Sequence, residues 1–133
     1  MRTRLLLTIG VLFASLTRLS AGMFEKDVRP ILKEHCFHCH GEAGVKEAEL
    51  DLRLRRWIIT GGDSGSAVEP GRPEESLLIQ RIASGEMPPG EKQLSEKEID
   101  TLIDWIRNGA KTAREEPASL DEGNYITEEE RSY

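Results

Sequence analysis

Cysteine, methionine and aromatic side chains are scarce in this chain. Its 133 residues include two cysteines and three methionines, and only 5% are aromatic. Two cysteines cannot form the disulfide network that holds together many small exported domains, and they supply half of the ligands of a typical structural zinc site. With so few aromatic residues, a core made of protein alone is thin for this size, and we expect a bound group to help fill it.

The chain also lacks an apolar run long enough to cross a membrane. Residues 5–16 form the longest one, about a dozen residues, whereas a transmembrane helix needs about 20. Two arginines precede this run and three small residues follow it, which is typical of a secretory signal peptide. We therefore predict a signal peptide over residues 1–22 and export to the periplasm or an equivalent cell-envelope compartment; a membrane anchor is the alternative.

Basic residues are outnumbered by acidic ones. The formal net charge is −6, with 18 Lys and Arg against 24 Asp and Glu. Residues 1–22 contain three arginines and no acidic residue, so cleavage leaves 15 basic residues and a net charge of −9. An acidic surface of this kind argues against binding to nucleic acid, whose phosphates attract a basic face.

Apolar spacing predicts helices along one domain, residues 23–113. A helix with apolar residues three and four positions apart leads from Phe24 into Cys36, and a second is expected at about 73–84. Residues 50–59 fit a short helix, with a strand as the alternative. Ser95 and Glu98 form a capping box that begins a helix ending before Asn108. Residues 114–133 are acidic without apolar periodicity, which predicts a linker or tail.

The segment that carries chemistry is Cys36-Phe37-His38-Cys39-His40. Its Cys-x-x-Cys-His form is the attachment signature of haem c. On a helical turn, positions i, i+3 and i+4 share one face, so Cys36 and Cys39 can both bond a haem while His40 ligates its iron. We predict one covalently attached haem c, with His40 as the proximal ligand.

Other interpretations of these five residues are less suited to the rest of the chain. A zinc site would have to use His35, His38 and His40, which are too crowded in sequence to form a tetrahedron easily. A thioredoxin-like site needs a strand before the motif, where a helix is predicted here. A plain disulfide between Cys36 and Cys39, or a chance match, also stays open.

The second axial position of the iron needs another ligand, and Met87 is our candidate. It is far enough from His40 along the chain to reach the opposite face of a haem, and two prolines after it favour an extended backbone. Met23 lies on the same arm as the attachment helix, so it is poorly placed to reach the opposite face of the haem. His35 and His38 are tied to the proximal side and are expected to be surface residues or to lie behind the ligands.

Three arginines within residues 53–59 stand out in an acidic chain. They could guide an acidic partner, but a solvated helix face is the simpler interpretation. Trp57, Trp105 and Arg72 could donate hydrogen bonds to haem carboxylates, although packing is the more ordinary role for the two tryptophans.

Over residues 24–113 the chain resembles the planctomycete-type cytochrome c domain, a relative of class I cytochromes c. The resemblance is carried by the order of short segments at residues 24–41 (which include the Cys-x-x-Cys-His motif), 50–52, 61–62, 70–78, 87–89 and 105–110. It implies an all-α, class I cytochrome c-like fold wrapped around one covalently attached haem, with His40 on one side of the iron and Met87 on the other. Such domains usually open a larger exported protein, and residues 126–133 look like the start of the region that follows.

The expected function is outer-sphere electron transfer by an exported mono-haem cytochrome that is not itself a catalyst. Expected partners are redox proteins or a downstream enzyme domain, with no membrane span left after signal cleavage. One alternative is a haem enzyme or gas sensor whose sixth iron position is open. Another is a haem-free thiol or zinc module.

Overall fold

The computed structural model describes residues 22–120. Residues 1–21 of the predicted signal peptide and residues 121–133 of the predicted tail lie outside that range. A π-helical turn at Phe24–Val28 continues into α1 (Arg29–His35), and the other helices are α2 (Arg55–Thr60), α3 (Leu77–Ala83) and α4 (Glu96–Arg107). Short 3-10 turns lie at Glu42–Gly44, Glu47–Glu49 and Pro73–Glu75.

Residues 22–120 contain no strand, only two isolated bridges, and the predicted all-helical class is confirmed. The longest of these helices, α4, has 12 residues. Within the same range, no helix has the length and apolar character that crossing a membrane requires.

The core is built where the N-terminal helix meets α4. Phe24 and Trp105 are fully buried, and their ring centroids lie 5.6 Å apart. Val28 and Leu32 follow on the same face as Phe24, and Ile106 is buried next to Trp105. Phe24, Val28 and Leu32 follow the spacing of three and four positions that predicted the first helix, and burying them against α4 fixes the two helices against each other.

The segment after α4 is tied back to this core. The Lys111 carbonyl accepts hydrogen bonds from the Phe24 backbone N–H (3.2 Å) and from the Trp105 indole N–H (2.9 Å). The buried carboxylate of Glu25 accepts the backbone N–H of Ala113 at 2.7 Å. The folded unit therefore includes the chain beyond the end of α4.

The structure narrows the helix predicted within residues 50–59 to α2. The Asp51 carboxylate accepts the backbone N–H of Arg53 (3.1 Å), and Leu52 N–H is donated to the His40 carbonyl (2.9 Å). These bonds hold residues 50–54 outside the helix, because an Asp side chain that binds the backbone two residues on replaces a helical bond. Gly61 ends α2 at φ 76°, where an added Cβ would lie 1.8 Å from the Gly65 carbonyl oxygen.

The single helix predicted at about 73–84 is interrupted at Ser76, which adopts an extended conformation (φ −81°, ψ 120°). Its buried hydroxyl accepts the Glu69 N–H (2.9 Å) and donates to the Arg72 carbonyl (3.0 Å). A serine side chain that binds nearby backbone groups competes with the helix, so the turn at Pro73–Glu75 and α3 are separate elements.

Candidate functional site

The attachment turn, residues 36–40, directly follows α1. The Cys36 carbonyl accepts N–H bonds from Cys39 (3.2 Å) and from His40 (3.0 Å), and Cys36 N–H is donated to the Leu32 carbonyl (2.8 Å). The chain thus makes one more hydrogen-bonded turn beyond the helix. This turn directs Cys36, Cys39 and His40 to one cavity, as the i, i+3, i+4 spacing predicts, while Phe37 packs in the core and His38 is exposed.

A cavity of about 410 Å³ lies between the attachment turn and α3. Its wall brings together the four residues predicted to bind the haem: Cys36, Cys39, His40 and Met87. Apolar side chains that the sequence argument did not assign to the site supply much of the rest, among them Leu50, Leu52, Ala67, Leu77, Leu78 and Ile82. For Leu50 and Leu52 the sequence does contain a signal, because Leu50, Leu52 and Leu54 alternate with polar residues and so mark a stretch with one apolar face.

The distal loop, residues 84–90, brings Met87 to the wall of the cavity that the attachment turn also lines. Gly85 begins the loop at φ 74°, and its N–H is donated to the Ile82 carbonyl at 3.0 Å. The Gln93 amide donates to the carbonyls of Pro88 (2.9 Å) and Gly90 (2.8 Å). The backbone on both sides of Met87 is therefore anchored by hydrogen bonds.

His40 carries a buried atom without a partner. Its Nδ1 has no hydrogen-bond partner within residues 22–120, while its carbonyl accepts the Leu52 N–H. A buried imidazole nitrogen that is left unsatisfied costs free energy in the polypeptide alone. Such an atom is typical of a side chain whose partner is not part of the polypeptide.

Cys36 and Cys39 are not bonded to each other. Burial, with a smaller effect from the neighbouring Cys39 charge, raises the pKa of Cys36 to about 12. The Cys36 thiol is therefore protonated at neutral pH. Thiol–disulfide enzymes with this spacing use the opposite shift, a lowered pKa that yields a reactive thiolate.

Cys36, Cys39 and the histidines do not converge as zinc ligands. In the part of the chain that the structure describes, the one group of three or more potential ligand side chains within 4.8 Å of one another is Glu34, His35 and Glu98. Lys92 already binds Glu34 at 2.8 Å. A structural zinc site requires a four-ligand set, so this arrangement does not supply one.

His35 was expected either at the surface or behind the ligands, and its side chain is not at the surface. Its side chain is only 4% exposed, and Nε2 lies 3.2 Å from a carboxylate oxygen of Glu98. Hydrogen bonds from the Ser95 hydroxyl and backbone, and then from His35, hold the pKa of Glu98 below its usual value. His35 therefore connects the end of α1 to the start of α4 while also lining the cavity.

The three arginines do not form a solvated helix face, and that prediction was wrong for two reasons. Arg53 binds the buried Asp51 carboxylate through two nitrogens, at 3.0 and 2.7 Å. Arg55 and Arg56 bind the segment after α4, which we call the C-terminal strap (residues 110–118): Arg55 donates to the Ala110 carbonyl and Arg56 to those of residues 117 and 118.

The strap also supplies the cap that α2 lacks in its own sequence. The Glu116 carboxylate accepts the backbone N–H groups of Arg55 (2.5 Å) and Arg56 (3.0 Å). Carboxylates are favourable at this end of a helix, because its first N–H groups have no internal partner. Residues 114–118, which fall in the predicted linker or tail, include groups that contact the folded domain.

The remaining aromatic and basic candidates have ordinary partners. The Trp105 indole is bonded to Lys111, and Trp57 is half-buried with Lys46, Arg53 and Arg56 within 5.1–5.7 Å of its ring centroid. Arg72 pairs with Glu75 at 2.7 Å and with Glu69 at 3.5 Å. None of these three residues, Trp57, Trp105 or Arg72, lines the cavity.

Comparison with known proteins finds one family model that matches part of the chain. Residues 36–91 match the family model described as planctomycete cytochrome C. The match begins at Cys36, contains all four predicted haem-binding residues and ends just after the distal loop. No curated protein and no solved structure matches the chain. The segment that builds most of the cavity wall is thus the segment that matches the family model.

Proposed function

We propose that this domain is an exported electron carrier with one haem c, linked to Cys36 and Cys39 and ligated by His40 and Met87. The observation that carries the proposal is the convergence of these four residues on one cavity, although Met87 is far from the others in sequence. The match to a cytochrome c family supports the same group.

The residues present fit a haem in three respects. The cavity is walled largely by apolar side chains, as a porphyrin requires. The two thiols and the imidazole stand on one turn, where they can reach a single group. The buried Nδ1 atom of His40 lacks a partner in the described polypeptide.

When bound, haem supplies an iron that gains and loses one electron. The chain's own residues would determine how that iron is used: His40 and Met87 would both hold it, which leaves no position for a substrate. Leu50, Leu52 and Leu78 line the cavity and would limit the access of water to a bound haem. A His–Met ligand pair and a dry site both favour the reduced state, so we expect a relatively high reduction potential.

We further propose that the domain works in the cell envelope, as the electron-handling part of a larger protein. The signal-like layout of residues 1–22 and the resemblance of residues 126–133 to the start of a following region support this. The partner would then be a redox protein or a downstream enzyme domain, reached by electrons and not by transfer of the haem.

The test is the intact mass of the chain after export from a bacterial host that has the cytochrome c maturation system. We expect cleavage near residue 22 and the added mass of one haem, which persists after acid denaturation. A Cys36→Ser/Cys39→Ser variant is the control and should keep the unmodified mass. An unmodified mass for the wild-type chain, with both thiols free, would overturn the proposal.

A further inference from the structure

The geometry points to the Arg81–Glu86 ion pair as the device that positions Met87 as a ligand. This inference rests on the proposed function, because it concerns how the distal ligand is held. Arg81 lies on the last turn of α3, and Glu86 directly precedes Met87. The Arg81 guanidinium binds the Glu86 carboxylate.

Two bonds join the same pair of segments. Besides the ion pair, the Arg81 carbonyl accepts the backbone N–H of Met87 at 3.1 Å. Arg81 therefore holds the loop through its side chain and through its main chain, at two adjacent loop residues. Since α3 is fixed in the core by the buried Leu78 and Ile82, Arg81 transmits the position of α3 to the distal loop.

Arg81 also lines the cavity together with Met87. Its pairing with Glu86 keeps the guanidinium bonded to the loop, next to a wall that is largely apolar. The Gln93 bonds anchor the loop after Met87, whereas the Arg81–Glu86 pair anchors it before Met87. Loss of the pair leaves the backbone bonds of Gly85 and Met87 on that side but no side-chain contact from Glu86 to α3, so the sulfur would spend more time away from the cavity.

The effect is expected to be modest, because both partners are partly exposed, at 38% and 55%. An exposed ion pair changes a local equilibrium by roughly fivefold at most. We expect Glu86→Gln and Arg81→Gln each to increase the rate of cyanide binding to the ferric holoprotein roughly two- to fivefold. The Met–iron charge-transfer band should weaken in both variants.

The direction in which the cyanide-binding rate changes in each variant separates a positioning role from a simple charge effect. Glu86→Gln and Arg81→Gln change the net charge in opposite directions, so a charge effect on anionic cyanide would move their rates in opposite directions. Loss of the positioning pair moves both the same way, and the double variant should resemble either single one. Glu91→Gln, an exposed acidic residue just after the loop, is the matched control and should leave the rate unchanged.

The outcome is distinguishable from failure of the proposed function. If Met87→Ala binds cyanide no faster than wild type, Met87 is not the ligand and the proposed ligation fails. If Met87→Ala binds cyanide faster while Glu86→Gln and Arg81→Gln equal wild type, Met87 is the ligand and the positioning inference is overturned. Opposite shifts in the two single variants would also overturn it.

Discussion

The attachment turn and the distal loop reach the same cavity by different means. Three side chains of the turn, the thiols of Cys36 and Cys39 and the imidazole of His40, are brought to one side by consecutive hydrogen bonds within five residues. Met87 reaches the cavity only because α3 is packed in the core and the loop after it is bonded at several points. A site can therefore combine a locally determined half with a half that depends on the whole fold.

The attachment turn and the distal loop should respond differently when the proposed iron ligand of each, His40 or Met87, is replaced. The larger effect is expected at His40. We expect His40→Ala to abolish nearly all covalently loaded protein, since in the proposed site the His40 imidazole would hold the iron next to both thiols. The measurement is haem-stained gel intensity relative to total exported chain. His38→Ala, an exposed residue of the same turn, is the control. Normal loading of the His40 variant would remove the proximal assignment.

Met87→Ala should affect haem attachment less than His40→Ala does, and its effect should appear in the ligand binding and potential of the iron. We expect the haem to be attached as in wild type, because the attachment turn does not need the distal loop, but the iron should bind cyanide and carbon monoxide more rapidly. Axial ligands spread haem potentials over about 0.8 V, so loss of methionine should lower the potential by on the order of 100 mV. Potentiometric titration measures this, with Met23→Ala as the matched control. An unchanged potential would contradict the distal assignment.

The smallest effect is expected from acid, and it concerns the contact between the attachment end of α1 and α4. Hydrogen bonds from Ser95 and His35 lower the pKa of Glu98 in the folded state. The corresponding stability is present above the unfolded pKa and is lost as the pH falls through the lowered folded pKa. On acidification, the wild type should therefore lose the part of its unfolding free energy that comes from the charged Glu98 carboxylate. The Glu98→Gln variant lacks this part already at neutral pH.

Denaturant unfolding of both proteins at neutral and acidic pH measures this effect. The difference between them should shrink as the pH falls, and Glu96→Gln, in the same helical turn, serves as the control. Cyanide binding should be unchanged in Glu98→Gln, because the attachment turn is held by its own backbone bonds. A difference that grows on acidification would contradict this account of Glu98.

The parts of the fold that could be predicted from sequence are those determined by neighbouring residues. The capping box places Ser95 before α4, and both reciprocal bonds are present. The spacing within Cys36-x-x-Cys39-His40 predicted that its three side chains share one side, and they line one cavity. In both cases the groups that interact lie within one or two turns of helix.

The parts that were missed depend on contacts between distant residues. Glu116 caps α2 from 61 positions beyond Arg55. No local pattern announces such a partner, because the acceptor and the donors are brought together only by the packed core. The same reason explains why arginines assigned to solvent instead hold the strap.

A crystal structure of the matured, exported protein tests the central claim most directly. We predict thioether bonds from Cys36 and Cys39 to one haem inside the cavity, with the iron between an imidazole nitrogen of His40 and the sulfur of Met87. A haem held elsewhere, an iron whose second axial position is taken by another side chain or by water, or a cavity without haem would contradict it.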